Sequence, residues 1–253
     1  MPGLIGKASR LDTKLVAMAG SQDNTYLVVA PGSPAKSIAD LKGKRIGFFK
    51  GTNLHLSIIN VVKKYGFSEK DFRFVNMDGP VAYSALASGD IDAIWSSSYI
   101  FPVVDRGIAK IIYSTKNEPD LYKTSGYVLV NSKFEQKYPE VVQRVVNVLV
   151  KQAAWESKPA NKDALFKLWA KSGISYSNIN KAHIGVDLKR HSAPIFDAYN
   201  VSLIKQKLKA GQDLKLIRGN VDVDKWIEPK YVNNALKTLN LQNYWKPLNA
   251  NGQ

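Results

Sequence analysis

The stretch from residue 45 to 113 constrains the fold most, because short β-branched or aromatic runs alternate there with glycine or serine turns and helical patterns. Arg45-Ile46-Gly47-Phe48-Phe49 reads as a strand that runs straight into Lys50-Gly51-Thr52-Asn53 and then into the helical spacing of Leu54, Ile58, Val61 and Val62. Arg73 to Met77 repeats the strand, Asp78-Gly79-Pro80 opens a helix over Val81 to Ser88, and Gly89-Asp90 stops it. Ile91 to Trp95, the polar turn Ser96-Ser97-Ser98, a helix from Tyr99 to Arg106 and a strand from Lys110 to Tyr113 complete the series. Such alternation predicts an α/β class with right-handed crossovers and a parallel sheet covered on both faces.

The rhythm changes after Asn131. Tyr127 to Val130 is a last strand, and helices follow over Phe134–Tyr138, Pro139–Trp155, Lys162–Ser172, Ser177–Val186, Ala193–Ala210 and Pro229–Leu239. Helices with one apolar stripe need a surface to cover. Runs at 15–19, 25–30 and 127–130 are the strands left to supply it. The expected organisation is an inner α/β lobe over 32–126 and a discontinuous, helix-rich outer lobe over 1–31 and 127–253. Two crossings join them, near Ala30 and near Gly126.

Length and composition fit two such lobes: 253 residues, 45% hydrophobic, without a low-complexity tract. The absence of cysteine removes disulfides, thiolate metal sites and thiol nucleophiles from these residues. No stretch approaches the ~18 apolar residues of a membrane span, and Met1 to Lys7 does not form a signal peptide. Lys and Arg outnumber Asp and Glu by 36 to 21, a formal charge of +15 that favours anionic partners. The cations are scattered in ones and twos, without interleaved stacking aromatics, so nucleic acid is not an expected partner.

Lys50-Gly51-Thr52-Asn53 sits where a strand gives way to a helix, so unpaired backbone N–H groups and the positive helix end converge there. That is either an anion site, with the Thr52 hydroxyl and Asn53 amide as further donors, or a plain helix cap. Gly79 opens the next helix, and Trp95 with Ser96, Ser97 and Ser98 ends the next strand. In a parallel sheet these ends share the edge where open α/β folds bind ligands. Trp95 is then either an apolar ligand wall or core, and the serines neutral donors. His55, one turn into its helix, either reaches the cleft or lies at the surface. No metal-ligand spacing, nucleophile elbow, phosphate loop or carboxylate pair is present, so no catalytic residue, metal or cofactor is expected.

Ser33-Pro34, then Ser37-Ile38-Ala39-Asp40-Leu41-Lys42-Gly43-Lys44-Arg45-Ile46-Gly47 and Lys50-Gly51-Thr52, resemble the hallmark stretch of periplasmic solute-binding proteins for aliphatic sulfonates, taurine and nitrate. Ala85-Leu86-Ala87-Ser88-Gly89-Asp90-Ile91-Asp92-Ala93 and Val148 to Trp155 extend the resemblance, which covers residues 1 to 160 well and the tail loosely. It implies the hinge-linked type II periplasmic-binding fold, a small anion such as a sulfonate, taurine, nitrate or similar organic acid held in an interlobe cleft, and delivery to the membrane permease of an ABC importer. Gly51, Thr52 and Asn53 fall on the family's ligand-facing turn, and Trp95 to Ser98 on its second one. There the sequence departs: members often read Asp-Ala-Trp-Ala-Ile-Trp-Asp-Pro-Tyr, against Asp92-Ala93-Ile94-Trp95-Ser96-Ser97-Ser98-Tyr99 here. Against the family pattern the chain reads as N-terminally truncated. The full-length form is expected in the periplasm or lipid-anchored at the cell surface, and self-association of the shorter form is a further expectation. The tail from Asp222 also resembles a sulfinate desulfinase of the same fold, which makes an enzyme the alternative, although that enzyme's nucleophile is a cysteine.

Overall fold

A computed structural model describes residues 1–253. The chain opens with α1 (Pro2–Ala8) and β1 (Thr13–Met18) and continues through β2 (Tyr26–Val29), β3 (Arg45–Phe48), α2 (Asn53–Lys64), β4 (Arg73–Asn76), α3 (Gly79–Ser88), β5 (Ala93–Ser96), α4 (Phe101–Asp105) and β6 (Lys110–Ser114). After β7 (Tyr127–Asn131) come only helices: α5 (Ser132–Lys137), α6 (Pro139–Glu156), α7 (Lys162–Ala170), α8 (Tyr176–Ala182), α9 (Leu188–His191), α10 (Ala198–Asp213), α11 (Val223–Trp226) and α12 (Lys230–Thr238). Two compact units result, one of residues 1–22, 125–165 and 185–253, the other of 23–124 and 166–184.

The unit of 23–124 and 166–184 is built on a five-stranded sheet in the order β4-β3-β5-β2-β6. β3 pairs in parallel with β4 and β5, as the strand–turn–helix rhythm predicts. The sheet is nevertheless mixed, because β2 runs antiparallel to both β5 and β6. This corrects the expected organisation twice. Strand 26–29 is an inner member of this sheet instead of belonging with residues 1–22, since every residue from Tyr26 to Val29 is buried between two neighbours. Residues 166–184 also belong here, although the helical pattern placed them with the other late helices. One face of the sheet packs Val28 and Ile94 against Ala82 and Leu86 of α3 and Phe101 and Val103 of α4. Gly47 lets strands and loops close tightly, since a Cβ there would lie 2.8 Å from Ile91.

In the other unit β1 pairs antiparallel with β7, and β1 also bridges to Ile227. Val16 and Ala17 pack with Val142, Val146 and Val150 of α6 and with Tyr231, Val232 and Ala235 of α12. α12 presents these apolar positions on one face, so a single face supplies its burial. On the far side of β7, Gly3 of α1 leaves room for Leu129, and the Trp226 indole N–H donates to Thr13 Oγ1 at 3.3 Å. α10 starts at Ala198 rather than Ala193, because the Asp197 carboxylate accepts the Asn200 N–H at 2.8 Å and caps the helix there.

Candidate functional site

Because β3, β4 and β5 run parallel, their C-terminal ends lie along one edge of the sheet, and the three turns singled out by sequence all emerge there. The first is Lys50-Gly51-Thr52. Gly51 sits at φ +79°, and a Cβ placed on it would meet nothing within 4 Å, so glycine is required for backbone conformation and not for space. The turn is tied from three directions. The Lys50 N–H donates to Asn76 Oδ1 at 2.9 Å, the Gly51 N–H to His55 Nδ1 at 3.3 Å, and the Thr52 hydroxyl to the Phe49 carbonyl at 2.8 Å. Thr52 is the N-cap residue of α2 but makes no side-chain cap bond. The amides that open α2 therefore keep the positive helix end facing this edge.

His55 is not a surface residue. It is 1% exposed, packs its ring 4.9 Å from that of Phe48, and has Nε2 3.8 Å from Glu69 Oε1, beyond hydrogen-bond reach. Burial holds its pKa below the usual imidazole value, and the nearby Lys50 charge adds to this against the raising influence of Glu69. A neutral ring accepting at Nδ1 carries its proton on Nε2.

At the second turn Gly79 is the first residue of α3, and Asp78 occupies the cap, its carboxylate accepting the Val81 N–H at 3.1 Å. That negative charge already answers the helix end, so the amides of this turn attract an anion less than those of the first. At the third turn Trp95 is core: it is 1% exposed, and its indole N–H donates to Thr25 Oγ1 at 3.1 Å. Ser96, Ser97 and Ser98 are half-buried at the same edge. The Tyr83 hydroxyl of α3 donates to the Tyr99 carbonyl at 3.0 Å and meets the Ser96 hydroxyl, joining the second turn to the third.

Of the residues expected from sequence, Lys50, Gly51, Thr52, Asn53, Gly79 and the three serines thus share this edge, whereas His55 and Trp95 lie beneath it. Asn76 and Tyr83, which brace the turns, are the residues that the sequence did not point to. An asparagine ending a strand is the available signal for the first, and a tyrosine one turn into a helix is too common to signal the second. Each turn also carries one exposed large apolar side chain: Phe49 at 54%, Val81 at 55% and Tyr99 at 57%. The edge therefore offers backbone donors, serine hydroxyls and apolar surface together, a combination suited to binding an organic anion.

Comparison with known proteins agrees with the resemblance in the sequence. The family described as NMT1/THI5 like matches residues 4–159. A Bacillus subtilis (strain 168) protein named for binding aliphatic sulfonates is 24% identical over 246 residues, covering 93% of this chain and 70% of its own length. A Rhodococcus erythropolis (strain XP) 2'-hydroxybiphenyl-2-sulfinate desulfinase is 26% identical over 163 residues, 60% of this chain and 41% of that enzyme. Across the curated relatives the match spans between 41% and 70% of their lengths. Among solved structures, the periplasmic sulfonate-binding protein SsuA of a sulfonate ABC transporter from Methylobacillus flagellatus KT superposes with a TM-score of 0.86 at 32% identity, covering 98% of this chain and 76% of that one. With a family match over more than half of its residues and that solved relative alongside, the chain belongs to the NMT1/THI5-like family and shares the α/β fold of that periplasmic sulfonate-binding protein.

Proposed function

We propose that this chain is the solute-binding component of an ABC importer, working in the periplasm, and that it holds a small anion at the edge formed by the β3, β4 and β5 turns. The observation that carries the reading is the Lys50-Gly51-Thr52 turn. It is held rigid by Asn76, His55 and Phe49, so the opening amides of α2 are presented to a ligand without reorganisation. Sulfonates, taurine, nitrate and similar organic acids are the ligand class, and the partner is the importer's membrane permease. Names of relatives support this, as does the chain's positive balance. An enzyme of the desulfinase kind finds less support, because these residues include no thiol and His55 is buried and committed to Gly51.

Thermal-shift titration against alkanesulfonates, taurine and nitrate tests the proposal. Stabilisation should grow with ligand concentration as binding to the native state requires. A saturating shift from a neutral sugar or peptide, with none from any anion, would overturn it. Gly51→Ala, which strains the turn at φ +79°, should weaken the best anion about tenfold. Thr52→Ala should cost less, since its hydroxyl proton is already given to Phe49.

A further inference from the structure

The helix α6 carries two apolar stripes, and only one of them is used. Val142, Val146, Val150 and Ala153 enter the core with α12. Beside them Val145 and Val148 stand 52% and 67% exposed, with half-buried Val141 one turn before and Tyr138, 37% exposed, at the helix start. Positions 141, 145 and 148 are spaced four and three residues apart, the a/d spacing of a helix–helix seam, and Tyr138 adjoins them from the N-cap. Tyr138 is backed by Phe134 of α5, with ring centroids 5.2 Å apart, so the stripe has a firm end.

A second row has the same period. Arg144 and Lys151 of α6 lie seven residues apart, both exposed, and border the stripe on the side away from the core, while Lys137, also exposed, ends α5 with its ammonium over the Tyr138 ring. None makes an ion pair, whereas the acid at Glu135 is buried against Lys230. In heptad terms the apolar stripe of α6 occupies a and d, and both of its g positions, Arg144 and Lys151, are cations.

We infer that this face of α6 docks an amphipathic helix of a partner protein whose flanking positions are acidic. A second copy of this chain is the wrong occupant. A two-fold antiparallel pairing of α6 would set one row of cations against the other, and like charges across a seam are disfavoured. A lipid surface is also a poorer match, because a plane imposes no seven-residue period and interfacial helices use a wider apolar face with bulky residues. Charge complementarity and the shared period both select an acidic helix.

The test uses the intact protein and a labelled helical peptide of about three heptads with Leu at a and d and Glu at e and g, beside a control with Lys in place of Glu. The Glu peptide should bind saturably, weaken as salt is raised, and bind at least tenfold better than the Lys peptide. K137E/R144E/K151E should reverse that preference, and Val148→Asp should remove binding of both peptides, each with an unchanged circular dichroism spectrum. The inference is overturned if the two peptides bind alike or not at all, or if charge reversal leaves the preference intact. It is equally overturned if vesicles rich in phosphatidylglycerol bind the protein while the Glu peptide does not, or if light scattering shows a dimer that Val148→Asp dissociates.

Discussion

Gly51 donates its backbone N–H to Nδ1 of His55 at 3.3 Å, so the candidate anion turn is held from beneath by a buried imidazole. Protonating Nδ1 would set two donors against each other. His55→Ala should therefore loosen the turn and weaken anion binding while leaving the far strands intact, and His55→Gln, which keeps an acceptor, should restore part of the affinity. Ligand titrations of both variants check this. Affinities that stay at the wild-type value in both would show that the turn does not depend on the bond.

The same bond has a pH signature. The folded pKa of His55 lies below its unfolded value of about 6.5, mainly through burial. The unfolded state then binds the proton first as pH falls, so stability is complete above about pH 6.5 and declines below it towards the folded pKa. Chemical denaturation between pH 7.5 and about pH 5 should show this slope in the wild type and a shallower one in His55→Gln. Equal slopes would exclude His55 as its source.

Trp95 separates core from site. Trp95→Ala removes a fully buried indole and should cost about 3–5 kcal/mol. Trp95→Phe keeps most of the packing but leaves Thr25 Oγ1 without its donor, at about 1–2 kcal/mol. If the tryptophan lined the ligand site, Trp95→Phe would change ligand preference more than melting temperature. Thermal melts with and without ligand decide.

What the sequence makes legible and what it hides differ for physical reasons. Strands that lead directly into glycine turns and helices, as at Phe48 to Asn53, are specified by neighbours in the chain and are legible from 45 to 113. The partner of a strand is not local: nothing in Tyr26-Leu27-Val28-Val29 says that it lies antiparallel between β5 and β6, because a continuously apolar run is what any inner strand shows. Trp95 and His55 pose the same difficulty at the level of side chains. Their types suit a pocket and a core equally, and only three-dimensional burial separates the two. Asp78 shows the converse, where a short polar residue before Gly79-Pro80 is legible as a helix start but its answer to the positive helix end needs the cap bond.

Gly126 tests how tightly the start of β7 is set. Its N–H donates to the Gly20 carbonyl, its own carbonyl accepts from Ala19, and a Cβ at this position would lie 2.1 Å from the Ala19 oxygen. No rotamer relieves a clash between two backbones. Gly126→Ala should therefore separate β7 from β1 at this end and lower the melting temperature by several degrees, whereas Gly32→Ala, with nothing within 4 Å, should leave it unchanged. Similar melts for the two would mean that this backbone contact yields easily.

Glu135 joins α5 to α12 and should make their unit sensitive to both acid and base. Its buried carboxylate accepts from Lys230 Nζ at 2.7 Å and from the Tyr231 hydroxyl at 2.5 Å, and these bonds hold its pKa below the usual glutamate value. Folding thus depresses an acid's pKa, so the contribution is complete above about pH 4.3 and is lost as pH falls through the folded value. Tyr231 behaves oppositely. Burial, and then the bond to Glu135, push its pKa up to about 12 from the ordinary value of about 10. The unfolded state therefore loses its proton first, and stability declines as pH rises from about 10 to about 12. Glu135→Gln keeps the shape but removes the charge that Lys230 answers, and should cost about 1–3 kcal/mol at neutral pH. It should also flatten the acid limb while leaving most of the alkaline one, since burial is the larger cause of the tyrosine shift. Urea unfolding across the pH range reads both limbs, and an acid limb as steep in Glu135→Gln as in the wild type would assign it to other carboxylates.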